Sequence, residues 1–245
     1  MATKIEWSES VWNCVTGCDK VSLACQNCYA EVMAKRLSGM PVSKEKYKNG
    51  FKVTLHPECL DEPYSWKKPT MVFVVSMGDL FHKDVPFEYI DKVMKVIEDN
   101  PQHTFQILTK RARRMAEYFL KHHAVPKNAW IGVTCENKNY YERIDCLRAI
   151  TKASVRFLSC EPLLGDMSDI NLDGIDWLIT GGESGNRARR TPIEWFRGLR
   201  EACRRWNVPF FFKQWGAWGE DGVKRSKYLN GSLLDGEEWK QMPRR

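Results

Sequence analysis

Six short apolar runs constrain the fold of this chain more than any other feature of its sequence. Each run is almost entirely apolar and rich in β-branched or aromatic residues, as strands covered on both faces are. The runs lie at 71–76, 104–109, 129–134, 155–159, 176–181 and 208–213. A further strand is predicted at 52–55, and a short first strand ahead of Cys14.

Amphipathic segments separate these runs. Residues 87–98 and 194–206 each place their apolar side chains on one face of a helix. Thr191 and Glu194 fit a capping box at the start of the second helix. Because strands alternate with helices, we expect parallel strands joined by right-handed crossovers. The predicted fold is α/β, a partial or complete (β/α) barrel of the TIM type with mostly parallel strands.

We predict one domain with three parts. Residues 216–245 are rich in glycine and tryptophan, and we expect them to pack over the barrel with a hairpin turn at Asn230–Gly231. The parts of this single domain (1–245) are a cysteine loop with the first helix (1–50), a barrel core (51–215) and a C-terminal extension (216–245).

The bulk composition indicates a globular protein from a reducing compartment. Of the 245 residues, 43% are apolar and 28% are charged, which permits a sizeable core. The sequence has no run of eighteen apolar residues, and its start lacks the pattern of a secretory signal. Nine cysteines, four of them clustered, favour a metal or cluster site over a disulfide framework. We therefore expect a cytoplasmic protein without a membrane span.

Polar or charged residues follow the end of each of the six apolar runs. The carboxyl ends of parallel strands meet at one face of a barrel, so we expect these residues to converge on one site. Any one group could instead cap the helix that follows it, but six groups together favour an active site. The groups are Ser76–Asp79, Thr109–Arg111, Thr134–Glu136, Ser159–Glu161, Gly181–Glu183 and Lys213–Gln214.

A cluster of cysteines near the N-terminus is the strongest chemical signal. Two residues separate Cys25 from Cys28, a spacing that lets two thiolates bind one metal centre. Gly17 supplies the backbone freedom that a wrapping loop needs. The helix expected after Cys28 would direct its positive end at a thiolate-bound cluster.

Three interpretations of this cluster remain open. Cys18, Cys25 and Cys28 could hold three irons of a four-iron cluster and leave the fourth iron open to a substrate or cofactor. With Cys14 as a fourth ligand, they could close a structural zinc or iron–sulfur site. All four could also be ordinary buried thiols. Only six residues separate Cys18 from Cys25, fewer than is usual between the cysteine pairs of a zinc site.

Several segments resemble a known family in matching order along nearly the whole chain. They are IEWSESVWNCVTGCDKVSLACQNCYAEVMAKRL, SMGDLFHKDVP, ILTKR, SCEPLLG, GGESG and FFFKQWG. These segments are similar to those of a phage- and bacteria-associated three-cysteine-motif family of radical-SAM-like proteins of unassigned substrate, where SAM is S-adenosylmethionine. The resemblance implies an enzyme with a [4Fe-4S] cluster on Cys18, Cys25 and Cys28. Reductive cleavage of SAM would yield methionine and a 5′-deoxyadenosyl radical, which takes a hydrogen atom from the substrate.

The resemblance also implies roles for the residues after the strands. Asp79 suits the ammonium of SAM, Lys110 or Arg111 its carboxylate, and Glu136 its ribose hydroxyls. The cofactor-binding residues expected are Ser76, Asp79, Lys110, Thr134, Glu136, Gly181 and Gly182. The residues expected to act on the substrate are Asp79, Glu161, Glu183 and Lys213.

The net charge of +7 and two basic runs, 110–114 and 187–190, are compatible with a phosphate-bearing or nucleic-acid substrate. Trp215 or Trp218 could stack on its bases. The expected reaction is the modification or repair of a nucleobase, nucleotide or other phosphate-bearing substrate. The resemblance implies a flavodoxin- or ferredoxin-like reductant.

Histidines add one further candidate. His82 could donate or accept a proton near the predicted site, whereas His122 and His123 are expected to face solvent. Two other functions stay open. One is a nucleic-acid-binding protein with a structural zinc or cluster site. The other is a metal-independent barrel enzyme that uses a ring of carboxylates, namely Asp79, Glu136, Glu161 and Glu183.

Overall fold

Seven strands form one sheet in the computed structural model, which describes residues 5–121 and 124–244. The sheet order is β1–β4–β5–β6–β7–β8–β9, and all neighbours run parallel. These strands are β1 (Ser10–Trp12), β4 (Met71–Val74), β5 (Thr104–Thr109), β6 (Ala129–Thr134), β7 (Val155–Cys160), β8 (Trp177–Thr180) and β9 (Phe210–Phe212). The predicted α/β fold is confirmed. In the described part of the chain, seven of the eleven strands belong to this main sheet.

Two units make up the chain. Unit 1 comprises Met1–Ile131 with Ala149–Ser154, and unit 2 comprises Gly132–Arg148 with Val155–Arg245. The single domain over 1–245 and its three parts stay a prediction. His122 and His123 lie outside the described residues.

In unit 1, β4 pairs with β1 on one side and with β5 on the other, and all four residues of β4 are buried. A strand does form within the predicted segment 52–55, but outside the main sheet. There β3 (Thr54–Leu55) pairs antiparallel with β2 (Val15–Thr16). The helices are α1 (Tyr29–Leu37), α2 (Phe87–Asp99) and α3 (Ala112–Lys121).

In unit 2, β8 pairs in parallel with β7 and with β9. Its helices are α4 (Glu142–Arg148), α5 (Ile193–Trp206) and α6 (Lys227–Asn230). The capping box predicted for α5 is wrong. Pro192 is the residue before the helix, and no side chain caps it, because the Thr191 hydroxyl donates to the Leu163 carbonyl at 2.8 Å. Glu194 still lies in the first turn, where its charge favours the helix dipole.

The C-terminal extension contains a hairpin, but not at the predicted turn. Strands β10 (Leu233–Leu234) and β11 (Glu237–Glu238) pair antiparallel around Asp235–Gly236, whose φ angles are 56° and 76°. Asn230 instead ends α6 and donates to the Gly216 carbonyl at 3.0 Å. Beyond the hairpin, Lys240 forms an antiparallel bridge with Phe211, so the extension covers the free edge of β9.

None of the described helices is both long enough and apolar enough to cross a bilayer.

Candidate functional site

The chain turns abruptly at the carboxyl end of β4. Val75 has a φ of 59°, in the left-handed region that β-branched residues rarely adopt. Its amide donates to the Trp12 carbonyl at 2.8 Å, which holds this conformation. Strained residues of this kind concentrate at functional sites. Here the turn directs the segment 76–79 away from the strand.

Asp79 ties the ends of β4 and β5 together within unit 1. Its side chain is buried, and Oδ1 accepts from the Thr109 hydroxyl at 2.7 Å and from the Phe81 amide at 3.0 Å. Oδ2 accepts from the backbone amide of Lys110 at 3.4 Å and lies 3.8 Å from Nε of Arg111. Asp79 is therefore an organising acceptor at both strand ends.

The cysteine loop, residues 17–28, starts beside the same strand end. Gly17 has a φ of 86°, and its amide donates to the Met77 carbonyl at 2.9 Å. A Cβ at Gly17 would lie 2.2 Å from the Lys52 carbonyl oxygen, so no other residue fits there. The backbone freedom predicted for Gly17 is confirmed.

Arg111 holds the cysteine loop from the end of β5. Its guanidinium forms an ion pair with the Asp19 carboxylate and lies 3.9 Å from the Cys18 sulfur. His82 approaches the same carboxylate, with Nε2 at 3.2 Å from Asp19 Oδ2. Burial opposes ionisation of Asp19, but Arg111 and His82 outweigh it and lower the pKa of the carboxyl. The loop is thus fixed by a charged cluster that the sequence analysis missed, because nothing in the spacing marks Asp19.

Tyr29 and Asn13 each form hydrogen bonds with the segment that follows β4. Directly after Cys28, the Tyr29 hydroxyl donates to the Ser76 carbonyl at 2.5 Å. The Ser76 hydroxyl donates to Asn13 Oδ1 at 3.2 Å, and that oxygen also accepts from the Met77 amide at 3.0 Å. The start of α1 and the end of β1 are both joined to the segment after β4.

The four clustered cysteines differ in environment. Cys18, Cys25 and Cys28 are partly exposed, whereas Cys14 is fully buried and burial raises the pKa of its thiol. Burial, followed by the charge of Asp79, also raises the pKa of Cys18 to about 11, although Arg111 opposes the shift. Cys14 therefore belongs to the core and not to the loop surface.

The three thiols of the loop are the ligand type that holds an iron–sulfur cluster. Among the described residues, no three His, Cys, Asp or Glu side chains are placed to hold one metal ion. The thiolates of a cluster bind different irons and so lie farther apart. Three partly exposed thiols precede α1, whose first residue is Tyr29, and Arg111 adds positive charge beside Cys18. Both features favour a negatively charged cluster.

In unit 2, each strand-end carboxylate is paired with a cation. Glu136 is fully buried, and its Oε2 lies 3.0 Å from the Arg143 guanidinium. Arg143 also donates to the Thr134 carbonyl at 2.9 Å. The pair therefore fixes the end of β6 to α4. The sequence analysis did not identify Arg143, since its position on α4 depends on the fold.

Two more pairs follow β7 and β8. Lys213 Nζ donates to both oxygens of Glu161 at 2.7 and 2.9 Å, with both side chains slightly exposed. Glu183 is buried, and its Oε2 accepts from Nε and the backbone amide of Arg189, both at 2.8 Å. Arg189 also donates through a terminal guanidinium nitrogen to Glu183 Oε1 at 2.5 Å.

The glycines after β8 approach the chain's own backbone. The Gly182 amide donates to the Gln214 carbonyl at 2.9 Å, and a Cβ at Gly182 would lie 1.9 Å from the Trp215 carbonyl oxygen. Gly181 accepts from the Leu163 amide at 3.0 Å. The space left by the missing Gly182 side chain is thus filled by the segment after β9.

A protein-family model described as "Protein of unknown function (DUF5131)" matches residues 2–243. The chain belongs to the DUF5131 family. A comparison of this DUF5131 chain with curated protein sequences finds no match.

Solved structures of spore photoproduct lyase share the fold of this DUF5131 chain. A complex with dinucleoside spore photoproduct has a TM-score of 0.53 at 11% identity and covers 82% of this chain. A mutant has a TM-score of 0.55 at 9% identity, covering 88% of this chain and 78% of the lyase. A further mutant, with bound AdoMet and dinucleoside spore photoproduct, has a TM-score of 0.50 at 12% identity. The DUF5131 chain spans 62% of the length of the first of these lyase chains.

The structure of this DUF5131 protein brings together part of the predicted site within each unit. In unit 1, Asp79, Lys110 and Ser76 lie on the segments that hold the cysteine loop. In unit 2, Glu136 contacts Arg143 and the Thr134 carbonyl accepts from the same cation, while Glu161 contacts Lys213. Their roles toward a ligand stay predictions.

The aromatic and basic residues of this DUF5131 protein that were predicted to contact a nucleic-acid substrate differ in their burial. Trp215 is buried against Phe196 and Phe212, with ring centroids 5.3 and 5.1 Å away, so its proposed role as a stacking surface is wrong. Trp218 is only partly buried. In the basic run 110–114, Arg111 holds the cysteine loop and Arg114 donates to the Val85 carbonyl at 2.6 Å, whereas Arg113 is exposed.

Proposed function

We propose that this DUF5131 protein is a radical SAM-type enzyme whose [4Fe-4S] cluster is held by Cys18, Cys25 and Cys28. One observation carries the proposal. Three partly exposed thiols lie on one loop, fastened to the carboxyl ends of β4 and β5, while the nearby Cys14 is withdrawn into the core. This arrangement leaves three protein ligands for a cluster that has four irons.

Two likenesses support the same chemistry. The segments around the cysteines resemble the phage- and bacteria-associated three-cysteine-motif family, and a lyase of the same fold binds AdoMet. When bound, the cluster would supply one electron for the cleavage of SAM to methionine and a 5′-deoxyadenosyl radical.

The residues of unit 1 would hold and orient the cofactors. Arg111 would keep the loop closed through Asp19 and donate to the Cys18 sulfur. Asp79 Oδ2, with one long hydrogen bond at 3.4 Å, retains capacity to accept from the ammonium of SAM. Ser76 and Lys110 would contribute polar groups beside it.

In unit 2, the Glu161–Lys213 pair is the best candidate for contact with a substrate. Both side chains keep some exposure, at 18% and 17%, whereas the Glu136 side chain has none. Glu136 and Glu183 would act through the cations that they bind. Thr134, Gly181 and Gly182 would shape the backbone around these pairs.

The proposed substrate is related to nucleic acid. A lyase of the same fold binds a dinucleoside photoproduct. On unit 2, the exposed residues Arg187, Arg190 and Lys224 accompany Trp218, and Lys224 Nζ lies 5.5 Å from the Trp218 ring centroid. Cations interleaved with aromatic rings favour phosphate binding and base stacking. We further propose a cytoplasmic location and a flavodoxin- or ferredoxin-like reductant.

The two alternative functions have less support. A zinc site closed by four cysteines would need Cys14, whose thiol is fully buried away from the loop surface. A metal-independent enzyme with a ring of carboxylates would need unpaired groups. In the described residues of unit 2, Glu136, Glu161 and Glu183 each have a cationic partner.

The decisive test is cleavage of SAM by the cluster-loaded protein. After anaerobic reconstitution and reduction by dithionite, 5′-deoxyadenosine and methionine are measured by mass spectrometry. We expect both products from the unmodified protein and from Cys14→Ala, and background amounts from Cys28→Ala. A fully loaded protein that leaves SAM intact, or a Cys14→Ala variant without a cluster, would refute the proposal.

A further inference from the structure

The first helix and its flanks carry an unusual exposed apolar surface. Among the described residues, fourteen large apolar side chains are exposed, and seven of them lie within residues 21–42. The seven are Val21, Leu23, Tyr29, Val32, Met33, Met40 and Val42. Clusters of this kind, in contrast to single exposed apolar residues, mark interaction sites.

Helical spacing separates the two sides of α1. Its inner side is packed, because Ala30 and Ala34 join a core cluster with Tyr47 and Met77. On the outer side, Tyr29, Val32, Met33 and Arg36 occupy positions i, i+3, i+4 and i+7, and all are exposed. We call these four residues the α1 face. Val32 leaves 61% of its surface in solvent.

The chain segment that contains the α1 face is basic. Residues 19–52 contain seven Lys or Arg against three Asp or Glu, a net charge of +4 out of +7 for the whole chain. Asp19, one of the three acids, is occupied by Arg111 and His82. A partner for this surface therefore has to be acidic, and two copies of the face would repel each other.

The position of the α1 face indicates what such a partner does. Its first residue, Tyr29, directly follows Cys28, so the face begins at the proposed cluster. With nine residues, α1 is about 14 Å long, which suits a small contact area. Transient electron-transfer complexes have interfaces at the small end of the range.

We infer that the α1 face is the docking site of an acidic one-electron carrier protein, which reduces the cluster at the start of this helix. The inference rests on the proposed function, since it requires a cluster on Cys18, Cys25 and Cys28. The carrier loses one electron, and the oxidised cluster gains it.

The test follows reduction of the loaded protein by an acidic flavodoxin in its fully reduced form. Anaerobic stopped-flow mixing records the bleaching of the cluster absorbance at several salt concentrations. In the variant Lys35→Glu/Arg36→Glu, we expect the second-order rate constant to fall by roughly tenfold or more at low salt. The difference should shrink as salt is added, because screening weakens the attraction between the charges.

Matched variants separate docking from other causes. Lys92→Glu/Lys95→Glu makes the same charge change on α2, where both side chains are exposed, and should reduce at nearly the rate of the unmodified protein. Val32→Ser/Met33→Ser should slow reduction without changing its dependence on salt. Dithionite, a small anion that needs no docking surface, should reduce all variants at nearly equal rates at high salt, where charges are screened.

Each contrary result has a distinct meaning. Equal rates for the α1 and α2 charge variants, with dithionite still effective, would overturn the docking site and leave the proposed function intact. A chain that takes up no cluster would overturn both. Concentration-dependent dimerisation in sedimentation, or binding to anionic vesicles, that is lost in Val32→Ser/Met33→Ser would assign the face to another partner and overturn the inference.

Discussion

The polar residues at the strand ends have different kinds of partner in the two units. In unit 1, Asp79 and Arg111 reach from β4 and β5 to a separate loop, so that the guanidinium lies beside the Cys18 sulfur. In unit 2, carboxylates at similar positions after the strands form ion pairs with cations of the same unit, as Glu136 does with Arg143. The same sequence pattern therefore produces a loop anchor in one place and internal ion pairs in the other. Polar residues after a strand mark positions, but their availability depends on their partners.

Breaking the most buried pair of unit 2 should have the largest effect. Glu136→Gln leaves the Arg143 charge buried without a counter-ion, which typically costs about 3–5 kcal/mol. We expect this loss in the free energy of unfolding, measured with urea. Glu136→Gln/Arg143→Met removes both charges and should recover most of the loss. A loss of less than about 1 kcal/mol for Glu136→Gln would show that the ion pair with Arg143 does not stabilise the end of β6.

Releasing the anchor of unit 1 should act locally. Arg111→Gln removes the ion pair with Asp19 that holds the cysteine loop. We expect amide hydrogen exchange in residues 17–28 to become about tenfold faster, equivalent to roughly 1.4 kcal/mol of local stability.

The matched control for this variant is Arg113→Gln, which makes the same charge change at an exposed position of α3. It should leave exchange in the cysteine loop unchanged. Faster exchange spread over all of unit 1 would show that Arg111 stabilises the unit as a whole and does not act as a loop anchor.

A smaller effect of pH should also belong to unit 1, which holds every described histidine. Burial lowers the pKa of His103, whose Nδ1 accepts from the Thr70 amide at 3.2 Å. The unfolded chain therefore binds a proton more readily than the folded one, and stability falls as pH decreases below about 6.5.

His103→Asn removes this titration while retaining an acceptor. Urea unfolding between pH 7 and 5.5 should show a shallower loss of stability for the variant than for the unmodified protein. Identical slopes would mean that His103 does not contribute to the pH dependence of unit 1.

Much of the scaffold could be predicted from sequence, because runs such as 104–109 and 129–134 combine apolar character with β-branched residues over their whole length. The helix α4 was not predicted. Asn230–Gly231 and Asp235–Gly236 are both hairpin signals, and only pairing of the flanking residues selects the second.

The site was predictable in kind but not in its connections. The spacing of Cys18, Cys25 and Cys28 marks them as candidate ligands. That Cys14 differs from them in being buried could not be read from the sequence. The partners Asp19 and Arg143 come from tertiary placement. The sequence around Gly182 suggests close approach to a ligand. In the structure, Gly182 instead approaches the backbone of Trp215 in its own chain.

The central claim is that three cysteines hold an open cluster. Iron and sulfide content after anaerobic reconstitution, together with electron paramagnetic resonance spectra of the reduced protein with and without SAM, tests it most directly. We predict about four irons per chain and a spectrum that SAM changes, both in the unmodified protein and in Cys14→Ala. Stoichiometric zinc, or a cluster whose spectrum is indifferent to SAM, would contradict the account.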